Sequence, residues 1–224
     1  MTLHEFPDLE QGSEEWHDVR RGIVTASVVG QLVTAKTIKL AANDYSRSLT
    51  ASLTAERITG YTEQTYMNDD MLRGTLDEPR ARDLYSEKYA PVIEVGFMVR
   101  DDWGFRIGYS PDGLVGDDGL IEVKSRRAKK HLQTILADQV PAENMAQMQA
   151  GLLVSGREWC DYVSYCGGLP MYVKRVYPDP RWFTAITAAV TAFEESATQM
   201  VAAYHAATQG LPTTERVLDF EMVL

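Results

Sequence analysis

Cysteine is scarce in this sequence. The 224 residues include two, Cys160 and Cys166. That is too few for a disulfide scaffold, a four-cysteine zinc site or an unaided iron–sulfur cluster, and it points to a reducing compartment. A long apolar run is also missing. The Ala-rich segment from Trp182 to Thr208 is broken by Glu194-Glu195, so nothing suits a bilayer span. The opening "MTLHEFPDLE" lacks a basic region followed by an apolar run and does not read as a secretory leader. Together these absences predict a soluble, cytoplasmic protein with no membrane partner. Positive charge is scarce too: 22 Lys/Arg face 32 Asp/Glu, a formal charge of -10. A uniformly basic surface is thereby excluded. The mean charge does not exclude a local concentration, and "KSRRAKKH", Lys124 to His131, carries five Lys/Arg. Either a basic concave surface lies inside an acidic exterior, or this is a solvated helix start.

The length, with 45% hydrophobic and 24% charged residues, suits one globular domain with a buried core. That domain is read as 1-210, with an N-terminal helical part at about 1-90, a sheet core at about 91-178, a C-terminal helix at about 180-208, and 211-224 as a tail. "GSEEWHDVRRGIVTASVVGQLV" predicts a short helix capped by Ser13, a turn at Gly22, and a second helix packing through Ser27 to Val33. Tyr45, Leu49, Leu53 and Ile58 recur with a helical period across Asp44 to Thr59, and Gly60 is a stop. Asn68 to Tyr89 is another helical segment, with Pro79 as a kink or first-turn residue. The texture then changes. "PVIEVGFMVR", "FRIGYS" and "GLIEVKS" predict three strands, joined by the turns "DDWG" and "GDDG". A short helix at Lys129 to Leu136 and a more apolar one at Glu143 to Val154 follow. "EWCDYVSYC" and "MYVKRVYP" predict two more strands, and Pro180 to Thr208 a long helix. This order predicts an α/β (α+β) fold with a central mixed sheet flanked by helices.

Chemistry concentrates in "YSPDGLVGDDGLIEVKSR", Tyr109 to Arg126. Side chains alternate along a strand, so Glu122 and Lys124 share a face and Val123 points into the core. If a strand ends at Asp112 and pairs as a hairpin, Asp112 sits beside Glu122. Two carboxylates at one spot repel unless a cation lies between them. A few oxygen ligands suit Mg²⁺, which keeps waters and takes phosphate oxygens from a substrate. Lys124 is then placed to position and deprotonate water. Phosphodiester hydrolysis needs these parts. The plain alternative is a β-hairpin with charged exposed positions.

"SPDGL…IEVK" resembles the PD-(D/E)xK nuclease core. "EEWHDVRRGIVTAS", "RGTLDEPRAR" and "NMAQMQAGLLVSGREWCDYVSY" resemble, in order, three further blocks of the lambda-exonuclease-like (YqaJ-type) viral recombinase family. The resemblance runs from Trp16 to the last helix and implies a restriction-endonuclease-like core in a single nuclease domain. It implies Asp112 and Glu122 as metal ligands with the Val123 carbonyl as a third, Lys124 as the catalytic lysine, and Glu78 near the metals. Two Mg²⁺ ions are implied, with Mn²⁺ as a substitute. Arg20, Ser27, Ser110 and Gln147 match residues implied to hold a terminal 5′ phosphate. Arg126, Arg127, Lys129 and Lys130 are weaker candidates for the DNA backbone. The "KSRR" run departs from relatives that carry a small apolar or proline-containing segment there, which leaves the DNA path after Lys124 open.

The activity so implied is Mg²⁺-dependent 5′ to 3′ digestion of duplex DNA from a phosphorylated end, leaving a 3′ single-stranded tail. A single-strand annealing protein is the implied partner, a trimeric ring the implied assembly, and the host cytoplasm the implied location if the gene is phage-borne. Two alternatives stand beside it: a restriction or repair endonuclease on the same core, and a non-catalytic DNA-binding protein that keeps the fold. Elsewhere the plain readings hold: Trp16 as a core anchor, His17 as structural, Gln149 as not facing the site with Gln147, and Cys160 and Cys166 as buried strand residues.

Overall fold

The structure, a computed structural model, describes residues 2–63 and 67–216. Its elements run β1 (Leu3–Phe6), α1 (Glu14–Arg20), β2 (Val24–Thr25), β3 (Val33–Thr34), β4 (Lys39–Leu40), α2 (Asp44–Thr59), α3 (Asp69–Lys88), β5 (Val92–Ile93), β6 (Phe97–Arg100), β7 (Ile107–Tyr109), β8 (Gly113–Val115), β9 (Gly119–Ser125), α4 (Ala128–Ala137), α5 (Ala142–Ser155), β10 (Trp159–Tyr165), β11 (Tyr172–Val176) and α6 (Pro180–Ala207). The mixed α/β architecture is the expected one. Helix ends follow local chemistry. Ser13, Asn43 and Asn68 accept backbone N–H groups at the starts of α1, α2 and α3, and Gly60 closes α2 in the left-handed region. Pro79 is exposed within α3, and the helix continues through it.

Two larger sheets meet in the molecule, besides the two-stranded β3-β4 ribbon. One has the order β1-β6-β7-β2, the other β11-β10-β9-β8-β5. The parallel pair β9 and β10 sits at the centre of the second, with Gly119–Ser125 opposite Trp159–Tyr165. A parallel pair needs a crossover, and α4 and α5 supply it. Alternation then sorts the two faces. Leu120, Cys160 and Tyr162 pack into the main core with Met148 and Leu152 of α5 and Ile186 and Val190 of α6. Ile121, Val123, Trp159 and Val163 face Ala81 and Tyr85 of α3. Each fully buried aliphatic of this kind contributes about 1.5–3 kcal/mol.

Several expectations need correction. Residues 27–33 do not form a second helix. Val24–Thr25 adds as a parallel edge strand on β7, Val29–Gln31 is one 3₁₀ turn, and Val33–Thr34 pairs with Lys39–Leu40. The β-branched residues there take strand pairing where it is offered. "PVIEVGFMVR" is not one strand. Gly96 packs so tightly on the Leu9 carbonyl that a Cβ would lie 2.0 Å from it, and the chain divides there into β5 and β6, which join different sheets. The three-strand meander is likewise shared between sheets, because β7 ends at Tyr109 and not at Asp112, and the unread strand β8 begins at Gly113. The stretch before residue 90 contributes strands as well as helices, and β1 pairs with β6. Residues 211–216 have no regular structure, and 217–224 of the tail lie outside the described residues.

Arg57 joins three segments. Gly22 adopts φ +67°, and its missing Cβ leaves room for the Arg57 stem, which a side chain would approach to 2.5 Å. Arg57 Nε donates to the Gly22 carbonyl at 2.6 Å, and its two terminal nitrogens grip Glu194 of α6 at 2.7 Å each. Glu56 accepts the Gly22 N–H at 2.7 Å. Arg57→Met keeps the stem and removes the fork. It is expected to lower the unfolding free energy by about 2–3 kcal/mol in urea titration, with an unchanged far-ultraviolet circular dichroism spectrum. A loss under about 0.5 kcal/mol would place the pair among solvated surface pairs.

Candidate active site

The two sheets part at Ser110-Pro111-Asp112. Proline cannot donate to a ladder, so the chain leaves β7 there and re-enters pairing as β8 in the other sheet. β8 pairs antiparallel with β9, Gly113 opposite Ile121. The next position along that register sets Asp112 beside Glu122. Among the described residues no strand covers that edge of β9 beyond Ile121, and the Asp112 carboxylate accepts the Val123 N–H at 2.6 Å. Gly113 is required by packing, since a Cβ would lie 2.2 Å from Val92 Cγ1. Asp112 is therefore held where a strand partner would otherwise be.

Glu122 is wholly buried. Its Oε1 lies 2.6 Å from Lys124 Nζ. Beyond that ion-pair contact, neither Glu122 oxygen has a hydrogen-bond partner among the described residues, and the buried Tyr109 hydroxyl lacks one too. Burial, and after it the Asp112 carboxylate, pushes Glu122 up to about 8 against the pull of Lys124. Burial and then Asp112 push Glu78 on α3 up to about 7, with Arg82 and Lys124 opposing. Asp112 is also raised by burial, against Lys124, the Val123 N–H and Arg82. Burial disfavours the charge on Lys124, yet Glu122 and Asp112 outweigh it and hold the amine above its ordinary value. The cluster thus has more carboxylates than positive charge to satisfy them.

The donors gathered here, Asp112, Glu122 and Glu78, are all carboxyl groups. Among the described residues no three His, Cys, Asp or Glu side chains converge as a closed ligand group, so a four-ligand zinc cage is not built here. Bare carboxylate oxygens at the edge of a strand suit Mg²⁺, which takes one or two carboxylates and keeps waters for the rest.

Arg82 belongs to this cluster and escaped the sequence reading. It donates to the Asp112 carbonyl at 3.1 Å and to Glu78 Oε1 at 3.3 Å, and meets Glu94 at 3.0 Å. The four-residue spacing from Glu78 on one helix was the available signal. Ser125 and Asp77 were also missed. Ser125 Oγ donates to Asp77 Oδ2 at 2.7 Å and accepts from Arg73 Nε at 3.0 Å. This pins α3 to β9 beside Lys124.

The four expected phosphate ligands are brought together only in part. Trp16 donates its indole N–H to Ser110 Oγ at 3.1 Å, and the Arg20 guanidinium stacks on the Trp16 ring at 3.6 Å. Trp16 so connects Arg20 to the segment that carries Asp112. Burial pulls Arg20 down to about 10 with Glu56 opposing, which leaves it charged at neutral pH, and no carboxylate pairs with it among the described residues. Ser27 is exposed, its Oγ 3.0 Å from that of Thr25. Gln147 is half-buried on α5. No hydrogen bond joins any two of the four among the described residues. Gln149 holds the β11–α6 connection instead, through Tyr177 and Asp179 at 2.8 Å each.

In the basic run, Arg126 bonds the neutral Asn144 and Tyr162 side chains, Arg127 pairs with Asp70, Lys130 pairs with Glu143, and Lys129 is exposed. His17 is exposed and edge-on to Trp16 at 5.0 Å. Cys160 is buried, with its thiol pushed up by burial and by Glu122, while Cys166 is only half-buried.

Two sheets with a carboxylate–lysine strand at their junction define an exonuclease fold of the restriction-endonuclease-like type. The alkaline exonuclease LHK-Exo from Laribacter hongkongensis has this fold, with a TM-score of 0.79, 33% identity, and coverage of 89% of this chain and 100% of that one. Its complex with dAMP matches at 0.79 and 35% identity over the same 89% and 100% shares. A phage-related exonuclease from Haemophilus somnus 129PT shares the fold at a TM-score of 0.64 and 13% identity, over 81% of this chain and 96% of that one. No curated protein sequence matches the chain. The family described as the YqaJ-like viral recombinase domain matches residues 15–158. The chain belongs to the YqaJ-like viral recombinase family. No helix among the described residues is long and apolar enough to cross a membrane.

A raised carboxyl pKa has a stability signature. Folded Glu122 keeps a proton that the unfolded chain loses above about 4.5. The stability it contributes is complete below that pH and is lost as pH rises through about 8. In divalent-free buffer, unfolding free energy should fall across this window by up to about 1.4 kcal/mol per pH unit for each retained proton. Glu122→Gln should flatten the slope. An unchanged slope in that variant would assign the effect to other groups.

Proposed function

We propose that this chain is a metal-dependent DNA exonuclease that digests duplex DNA 5′ to 3′ from a phosphorylated end and leaves a 3′ tail. The observation that carries the reading is Glu122, a fully buried carboxyl group beside Asp112 whose one partner among the described residues is the Lys124 amine at 2.6 Å. Buried carboxyl groups that share one amine form an arrangement that a bound divalent cation would complete. The family and the likeness to LHK-Exo support nuclease chemistry. A strand-annealing protein that takes up the 3′ tail, and a trimeric ring enclosing the DNA, complete the proposal. Such a ring would reconcile a charge of -10 with a basic interior.

Asp112, Glu122 and the Val123 carbonyl would hold Mg²⁺, or Mn²⁺ in its place, with Glu78 close by, and two ions would be bound in all. When bound, the metal supplies Lewis acidity and positive charge. Lys124 orients the attacking water and offsets charge that develops on the phosphoryl oxygens. Arg82 holds Glu78 and the Asp112 backbone in place. Arg20, Ser27, Ser110 and Gln147 would receive the terminal phosphate, with Arg20 as the charged member.

End-labelled linear duplex tests the chemistry. No cleavage is expected in EDTA, with recovery in Mg²⁺ or Mn²⁺ and loss of cleavage in folded Asp112→Ala and Glu122→Ala. Lys124→Ala should still bind DNA but cut about a hundred-fold or more slowly in single turnover. Full activity in a folded carboxylate variant would sink the metal site, and an unchanged rate would remove Lys124 from the mechanism. Cleavage of covalently closed circles would favour the endonuclease reading.

The terminal phosphate has its own test. The wild type should prefer 5′-phosphorylated over 5′-hydroxyl ends by about tenfold or more, since a charge-assisted contact contributes roughly 1.5–3 kcal/mol. Arg20→Ala should erase that preference and keep the wild-type rate on 5′-hydroxyl ends. Its stacking on Trp16 supplies a competing role as scaffold. In that case the melting temperature and both rates would fall together, and the phosphate role would be rejected.

A further inference from the structure

One residue past Lys124, the chain borders a polar pocket of about 500 Å³ whose walls include Asp70, Arg73, Ser125, Arg126, Arg127 and Lys130. Four cationic side chains therefore face one cavity in a protein of net charge -10. Two acids oppose them there, Asp70 and Glu143, so the cavity is electropositive.

The cations fall into two pairs. Arg126 is oriented by neutral groups, and Arg73 by the neutral Ser125 together with Asp70. Arg73 Nε donates to Ser125 Oγ at 3.0 Å, and Arg126 donates to Asn144 Oδ1 at 2.6 Å and to the Tyr162 hydroxyl at 3.3 Å. Arg127 and Lys130 are held by acids, Asp70 at 2.8 Å and Glu143 at 2.6 Å. Asp70 is shared, for Arg73 also reaches it at 2.7 Å. The Asp70 and Glu143 side chains are 57% and 54% exposed. Pairs so exposed contribute little to stability, and a phosphate offers arginine a stronger, bidentate partner. The acids therefore act as exchangeable placeholders. Ser125, the residue after Lys124, lines the pocket with Arg126, so the pocket adjoins the carboxylate–lysine cluster in sequence.

We propose that this pocket binds the phosphodiester next to the scissile one on the strand being cut. Arg73 and Arg126 form its preset wall, while Arg127 and Lys130 exchange Asp70 and Glu143 for backbone phosphates. The proposal rests on the nuclease reading and gives that site its strand path after Lys124. Asp70 becomes a competitor of DNA: its carboxylate occupies the arginines that a phosphate would take.

Anisotropy of a labelled short duplex, titrated in EDTA across a salt series, tests this without cleavage. Arg127 is mostly exposed, so Arg127→Ala should fold normally. It should weaken binding by about fivefold or more at low salt and reduce the slope of log affinity against log salt by about one. Asp70→Asn should tighten binding by several-fold. Lys88→Ala, which removes an exposed charge from the far end of α3, should change neither. If Asp70 merely organises the two arginines, Asp70→Asn would weaken binding or leave it unchanged, and the exchange would be overturned. An unchanged affinity and slope in Arg127→Ala would overturn the pocket itself. So would a mononucleotide or inorganic phosphate that competes as well as an unlabelled oligonucleotide, because the pocket would then serve free product. A wild type that cuts DNA in Mg²⁺ while its affinity ignores both variants keeps the nuclease reading and rejects this one. A wild type that neither binds nor cuts rejects both.

Discussion

A single hydrogen bond organises the centre of this molecule, from Val123 N–H to the Asp112 carboxylate at 2.6 Å. It exists because two sheets separate there. Pro111 removes a donor, the chain crosses from β7 to β8, and the edge of β9 past Ile121 loses its strand partner. A backbone N–H left bare and buried would cost about 1–3 kcal/mol. Asp112 satisfies it with one oxygen, which also fixes where the rest of that carboxyl group lies. The topology of the sheets and the position of the acid are one fact seen at two scales.

Burial acts in the opposite sense on Glu122. The alternation of β9 turns it toward the face shared by Leu120, Cys160 and Tyr162, where the core excludes water. A carboxylate there is destabilised, and the Lys124 amine at 2.6 Å restores only part of the balance. The fold tolerates this because strand order leaves no choice of face: shifting β9 by one residue would bring Ile121 and Val123 out of the α3 cluster. The hydrophobic pattern of the strand therefore enforces an electrostatic strain that the pattern alone would not create. On the other face, α3 is locked by Tyr85, whose hydroxyl donates to buried Asp161 at 2.7 Å, while Arg175 grips the same carboxylate. That lock sits one turn from Arg82 and two from Glu78 and keeps both at the same edge.

Much of this was legible in the sequence, for identifiable reasons. α2 was readable because Tyr45, Leu49, Leu53 and Ile58 recur with a helical period and Gly60 stops it through bonds local to the helix end. The shared face of Glu122 and Lys124 follows from a period of two, which needs no tertiary information. What was not legible depends on partners distant in sequence. Residues 27–33 look helical by their apolar content, yet the Ala26 N–H bonds the Gly108 carbonyl across 82 positions. β8 has three residues and no pattern of its own, so only pairing with β9 and β5 makes it a strand. "PVIEVGFMVR" reads as one strand because Gly96 gives no hint that the Leu9 carbonyl occupies the space its Cβ would fill. Arg82 was hidden for a different reason, since an arginine four residues after a glutamate is ordinary on a solvated helix. The crossover at Pro111 is what gives that spacing its context.

Charge distribution has the same lesson in another form. The run from Lys124 to His131 looks like one basic patch, but the structure gives its members separate surroundings. Lys124 is half-buried against Glu122, and His131 is wholly buried between Ser164 and the Pro170 carbonyl. Arg126 is oriented by neutral side chains, whereas Arg127 and Lys130 are held by exposed acids. Backbone geometry separates them: β9 ends at Ser125 and α4 begins at Ala128, so neighbouring residues point in different directions. A net charge averages over such differences. What decides whether a cation can meet an anion is the free energy of leaving its present partner, and that is lowest where the partner is already in water.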